Sequence, residues 1–157
     1  MDNRKVFSVI VLNEHGVLSR VVGLFSGRGY NIESLTVAPI PDSDFSRITI
    51  VTNGDERVFE QISKQLNKLI STYKVIETQN FIEKEIALVK IPICEDFSGL
   101  DAILKSYNAI VANATENFIF IMATDDAKRI DCFVKLMKKK YNPSQIVRSG
   151  SIMLEMQ

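Results

Sequence analysis

Hydrophobic spacing along this chain switches between two periods in a fixed order, and it does so twice. Val6 to Leu12 is an apolar run broken only by Ser8, the mark of a buried strand. From Val17 the apolar positions are Val17, Leu18, Val21, Val22, Leu24 and Phe25, one face at helical spacing, and Gly27 and Gly29 end the helix. Ile32, Leu35 and Val37 give a strand closed by Pro39 and Pro41. After a Pro-Asp-Ser-Asp turn, Ile48 and Ile50 alternate with Arg47, Thr49 and Val51, completing a hairpin. Asp55 is placed to cap a second helix with Val58, Phe59, Ile62, Leu66 and Leu69 inward, and "TYKVIET" supplies a last strand. The order is βαββαβ.

The second half repeats it. "EIALVKI" is a strand, Phe97 to Tyr107 a helix, and "AIVANAT" and "FIFIMAT" two further strands. Asp125 or Asp126 then caps a helix carrying Ile130, Phe133, Val134 and Met137, and "SQIVRSG" closes the unit. The expected class is α+β, with two ferredoxin-like βαββαβ domains at 1–79 and 80–157, each an antiparallel sheet with two helices on one face. The boundary falls near Thr78 to Lys84.

Composition removes several function classes. Nineteen basic and nineteen acidic side chains cancel, so no overall field draws the chain to nucleic acid or to an anionic membrane. The run from Val6 is far too short to span a bilayer and lacks a small-residue cleavage site, so a cytoplasmic protein is expected. Cys94 and Cys132 belong to no Cys-x-x-Cys or Cys/His cluster and are expected as buried, reduced thiols. His15 is the only histidine, which leaves no histidine metal cluster and points to no catalytic site, metal or cofactor. Gly23, Gly27 and Gly29 lack the Gly-Lys-Ser/Thr ending of a phosphate loop and follow the helix instead of preceding it. The basic "KLMKKKY" stretch suits a solvated helix C-terminus. An RNA-recognition sheet shares the βαββαβ order, but only Phe7 and Phe45 offer themselves as stacking aromatics and its signature motif is missing.

The turn before the first helix stands apart. A helix N-terminus presents unpaired N–H groups and a partial positive charge, and Gly16 would let a carboxylate approach the amides near Gly16, Val17 and Leu18. Asn13 and Asn31 each carry a carbonyl oxygen and an NH2 group, suited to a zwitterion, with Val17, Leu18 and Ile32 as a small apolar wall. Plainer readings stand beside this one: Asn13 as a helix cap, Gly16 as an easing of the turn, and Asn31 as a partner for its own turn.

The stretch "VLNEHGVLSRVVGLFSGRGYNIESLTVAPIPDSDFSRITIVTNGDE" closely resembles the ACT domain of the small, regulatory subunit of acetohydroxyacid synthase, also called acetolactate synthase. "EKEIALVKI" and "IVRSGSIML" resemble the second half of that family. The resemblance implies a non-catalytic subunit that raises the activity of a separate thiamine-diphosphate catalytic subunit and confers feedback inhibition by valine, or sensitivity to another branched-chain amino acid. It also implies a homodimer with the effector between one protomer's first loop and the other's second strand. Asn13, Gly16, Val17, Leu18, Asn31 and Ile32 fall on those segments. A dozen residues of helix separate Asn13 and Gly16 from Asn31 by roughly 18 Å, so they meet across a two-fold axis and not within one chain. A stand-alone amino-acid sensor is the alternative.

Overall fold

The computed structural model describes residues 4–156, which form two units. One takes the chain up to Ile82 together with the residues from Met153 onward; the other is Glu83–Ile152. Both show the expected ferredoxin-like α+β architecture.

In the first unit the elements are β1 (Arg4–Leu12), α1 (Val17–Ser26), β2 (Ile32–Pro39), β3 (Phe45–Asn53), α2 (Glu56–Lys68) and β4 (Thr72–Ile76). The strands lie in the order β2-β3-β1-β4, so β2 and β4 are the two edges. β1 and β3 pair antiparallel without interruption from Arg4↔Asn53 to Leu12↔Phe45. Because side chains alternate across a strand, Phe7, Val9, Val11, Ile48 and Ile50 all face the helices. They pack there against Val17, Val21, Leu24, Phe25, Phe59, Ile62 and Leu66 as one core. Phe7 is fully buried, its ring edge-on to Phe59 at 6.2 Å between centroids, so it is covered by the helices and unable to stack a base. Asp55 caps α2 through a bond that Val58 N–H donates at 2.8 Å, an interaction contributing about 1 kcal/mol.

β4 pairs with β1 less regularly. Ile10 lies opposite Lys74 but Val11 opposite Thr72, so Tyr73 is the extra residue of a β-bulge.

The second unit contains most of β5 (Phe81–Pro92), then α3 (Leu100–Ser106), β6 (Ile110–Ala114), β7 (Phe118–Asp125), α4 (Ala127–Tyr141) and β8 (Gln145–Arg148), in the strand order β6-β7-β5-β8. Ala87, Val89, Ile91 and Ile121 pack on Leu100, Ile130, Phe133, Met137 and Tyr141. Of the two aspartates able to cap α4, Asp126 does so, accepting from Arg129 N–H at 2.9 Å. Asp125 instead turns inward. Burial pushes its carboxyl up, but Asp126 N–H, Lys84 and Arg129 together outweigh that and hold it below the usual carboxylate range. Buried Glu85 accepts two bonds from Arg148, at 2.6 and 2.9 Å.

Three expectations need correction. The helix expected from Phe97 begins only at Leu100, because Asp96 Oδ1 accepts both the N–H and the hydroxyl of Ser98 and Gly99 turns left-handed at φ +77°. Cys94 and Cys132 are exposed: Cys132 lies on the outward face of α4, between inward Ile130 and Phe133, and Cys94 follows β5 in a turn. A ninth strand, β9 (Ile152–Glu155), pairs with β5 where the sequence pattern predicts an end.

The tail continuing from β9 belongs to the first unit. Met153 is buried with Val6, Val51 and Ile76 on the face of the first sheet opposite its helices, and Phe81 packs beside them. Arg47 Nη1 donates to Ser8 Oγ and to the carbonyl of Met153, both at 3.2 Å.

Candidate functional site

The loop between β1 and α1 is fixed at its start by backbone bonds. Leu12 N–H donates to Ser71 C=O at 2.9 Å and Asn13 N–H to Asp44 C=O at 2.8 Å. The chain then turns at Gly16, whose φ of +81° lies in the left-handed region that glycine adopts without cost. Gly16 is the N-cap residue of α1, and no side chain caps that end, which removes the capping reading of Asn13. The first helical bond runs from Arg20 N–H to Gly16 C=O at 3.0 Å, so the amides ahead of it have no acceptor one helical turn back. Val17 N–H has only a long bond to Glu14 C=O, at 3.4 Å. With no acidic residue in the first turn, this is an open, electropositive helix end.

The six residues singled out in the sequence do not contribute alike. Asn13, Gly16 and Leu18 are exposed together at the entrance to α1. Val17 is 4% exposed and packs in the core, so it offers its N–H and not an apolar wall. That wall is narrower than expected and falls to Leu18 and half-buried Ile32. Asn31 is exposed at the far end of α1, its carbonyl accepting from Thr52 Oγ1 at 2.5 Å. The ten residues of α1 alone span about 15 Å, so the fold does not bring Asn31 to Gly16 within one protomer.

Three residues that sequence reasoning misses hold the loop in place. Ser71 Oγ donates to Glu14 Oε1 at 2.6 Å and accepts from Arg20 Nη1 at 2.8 Å, while Arg20 also lies 3.4 Å from Glu14. Ser71 is 4% exposed. Nothing in the sequence marks this clasp, which joins positions 51 and 57 residues apart in the chain.

The arrangement can receive an anion at the α1 amides beside an apolar side chain. His15 stands exposed in the same turn.

Comparison with known proteins agrees over both halves. Residues 7–74 match the family described as the AHAS small subunit-like ACT domain, and residues 84–157 the family described as the small subunit of acetolactate synthase. The acetolactate synthase small subunit of Buchnera aphidicola subsp. Baizongia pistaciae is 45% identical, over 94% of this chain and 95% of its own. The acetolactate synthase isozyme 3 small subunit of Escherichia coli K12 is 40% identical, over 95% and 93%. The crystal structure of the acetolactate synthase small subunit from Thermotoga maritima superposes with a TM-score of 0.86 at 28% identity, covering 98% of both chains.

Proposed function

The chain belongs to the family of acetolactate synthase small subunits, and from that membership we propose that it is a non-catalytic regulator that activates the family's thiamine-diphosphate-dependent catalytic subunit and makes it sensitive to feedback inhibition by valine. Its first domain is an ACT domain and its role is regulatory. The effector pocket lies in residues 1–79, and the protein works in the cytoplasm as a homodimer. Asn13, Gly16, Val17 and Leu18 of one protomer and Asn31 and Ile32 of its partner close on one branched-chain amino acid.

The observation that carries this reading is the left-handed Gly16 at an uncapped helix end. A carboxylate there meets first-turn amides, and its charge is favoured by the helix dipole. The second half of the site must come from another chain, because Asn31 lies beyond the far end of α1. β2 is an open sheet edge and α1 presents Gly23, beside which a Cβ would meet nothing within 4 Å, so a second copy can approach closely along this side. Burying a branched aliphatic side chain contributes about 1.5–3 kcal/mol, and each charge-assisted hydrogen bond about as much, against association costs of several kcal/mol. Micromolar to millimolar affinity follows, suited to a metabolite pool.

Reconstitution tests the reading. The chain is expected to form no acetolactate from pyruvate by itself, to raise the rate of the catalytic subunit, and to render that rate valine-sensitive. Turnover by the chain alone, or a reconstituted rate indifferent to its presence, would overturn it.

A further inference from the structure

Ile70, Ser71, Thr72 and Tyr73, which follow α2 and its C-cap Leu69, combine features that burial of the core does not account for, although the Tyr73 ring also lies 5.0 Å from that of Phe45. Ile70 is 99% exposed and Tyr73 71% exposed. A lone exposed isoleucine needs no explanation, but here it adjoins a bulge that makes Tyr73 the extra residue of an edge strand. Between them Thr72 Oγ1 is buried and makes no hydrogen bond among the described residues. Ser71 completes the run, buried and bonded to Glu14 of the effector loop and to Arg20 of α1. Leu12, 41% exposed, donates its N–H to the Ser71 carbonyl.

We propose that Ile70 and Tyr73, with Leu12, form a contact on which the family's catalytic large subunit docks, and that Ser71 transmits effector occupancy of the first loop to that contact. The transmission half rests on the effector reading of the loop. The occupant follows from place and size. β4 is the sheet edge opposite β2, so a second copy paired along β2 leaves this patch free, once on each protomer. Three side chains offer on the order of 300 Å², well short of the roughly 800 Å² per partner that a self-standing dimer buries. An exposed isoleucine and tyrosine of that extent suit a few strong contacts inside a wider interface with a larger partner. The coupling is physical: a ligand that draws the first loop toward itself pulls on Glu14, and the Ser71 hydroxyl and carbonyl hold that movement to the backbone carrying Ile70 and Tyr73.

The test uses full-length chains reconstituted with the catalytic large subunit. Ile70→Glu and Tyr73→Ser change exposed side chains and are expected to raise the small-subunit concentration for half-maximal stimulation about tenfold or more. Valine binding to each variant alone, measured by calorimetry, should stay within about twofold, since neither side chain belongs to the effector site. Ser71→Ala, and Glu14→Ala as a second route to the same clasp from the exposed side, should keep the stimulation midpoint within about threefold, while the inhibition at valine concentrations that saturate each variant, set from its own calorimetric binding curve, falls by about half or more. An unchanged stimulation midpoint in both surface variants overturns the docking contact. So does a changed oligomeric state of the chain alone with an unchanged midpoint, which makes the patch a contact between copies. Full inhibition in both clasp variants overturns the transmission. A wild-type chain that binds no valine overturns the effector reading and the transmission with it, whereas the docking contact is still decided by the stimulation midpoints.

Discussion

Arg47 donates through Nη1 to Glu155 Oε2 at 2.9 Å, joining β3, an inner strand of the ACT sheet, to a residue 108 positions further on. The pair fastens the C-terminal tail across the face of the sheet that the helices leave open, where Met153 covers Val6, Val51 and Ile76. The Arg47 guanidinium holds the Glu155 carboxyl below its ordinary range. The ACT unit is therefore completed by the end of the chain and not by its first eighty residues alone.

Met153→Ala should accordingly destabilise the first unit by about 2–3 kcal/mol, through lost apolar burial and an unfilled cavity. Arg47→Met should cost about 1 kcal/mol, since both partners are partly exposed. Thermal denaturation of the two variants measures both, and a tail shortened after Ser151 that melts like the full chain would contradict the role given to the tail.

Gly16→Ala is expected to cost about 1–2 kcal/mol, because φ is +81° and an L residue is strained there, although the added methyl has room, with Arg20 Nη2 at 3.9 Å. Gly16→Asp tolerates the left-handed conformation better and sets a carboxylate where the effector's should sit. It should abolish valine inhibition while the variant, folded by circular dichroism, still stimulates the catalytic subunit. Valine titrations of synthase rate decide the point; wild-type inhibition in the folded variant would remove Gly16 from the site.

Asn31→Ala keeps the backbone carbonyl that Thr52 bonds and removes only the exposed side-chain amide. Valine binding should weaken by about 1–3 kcal/mol, a five- to more than hundredfold loss. Calorimetry on the purified variant is the measurement, and unchanged affinity would exclude Asn31 as a ligand contact.

Asp125 sets an acid limit on the second unit. Its carboxyl is depressed in the folded state, so its contribution is fully present above the unfolded value near 3.9 and is lost as pH falls through the lower folded value. Stability should therefore decline below about pH 4, and Asp125→Asn should be less stable at neutral pH yet flatter across that range. Denaturant titrations at several pH values test the slope; parallel profiles for variant and wild type would show that another group carries it.

The order of elements as far as β8 and the helix start at Asp55 were legible in the sequence, and that of α4 to within Asp125 or Asp126, because periodicity and capping act over a few residues and need no knowledge of the partner strand. The glycine turn at residue 16 was legible for the same reason. The side-chain roles around it were not. Val17 has the composition of a pocket wall but the phase of α1 turns it into the core that also holds Phe7, a fact set by how the helix lies on the sheet. Cys132 shows the converse, a thiol expected to be buried that α4 carries outward, beside buried Phe133. The bulge at Tyr73, the Glu14–Ser71–Arg20 clasp and the Arg47–Glu155 pair depend on strand register and on the path of the tail. Those contacts span 51 to 108 residues of chain. A local pattern specifies which way each residue faces along its own element, whereas the partner it meets is chosen only when the sheet registers and the helices close over it.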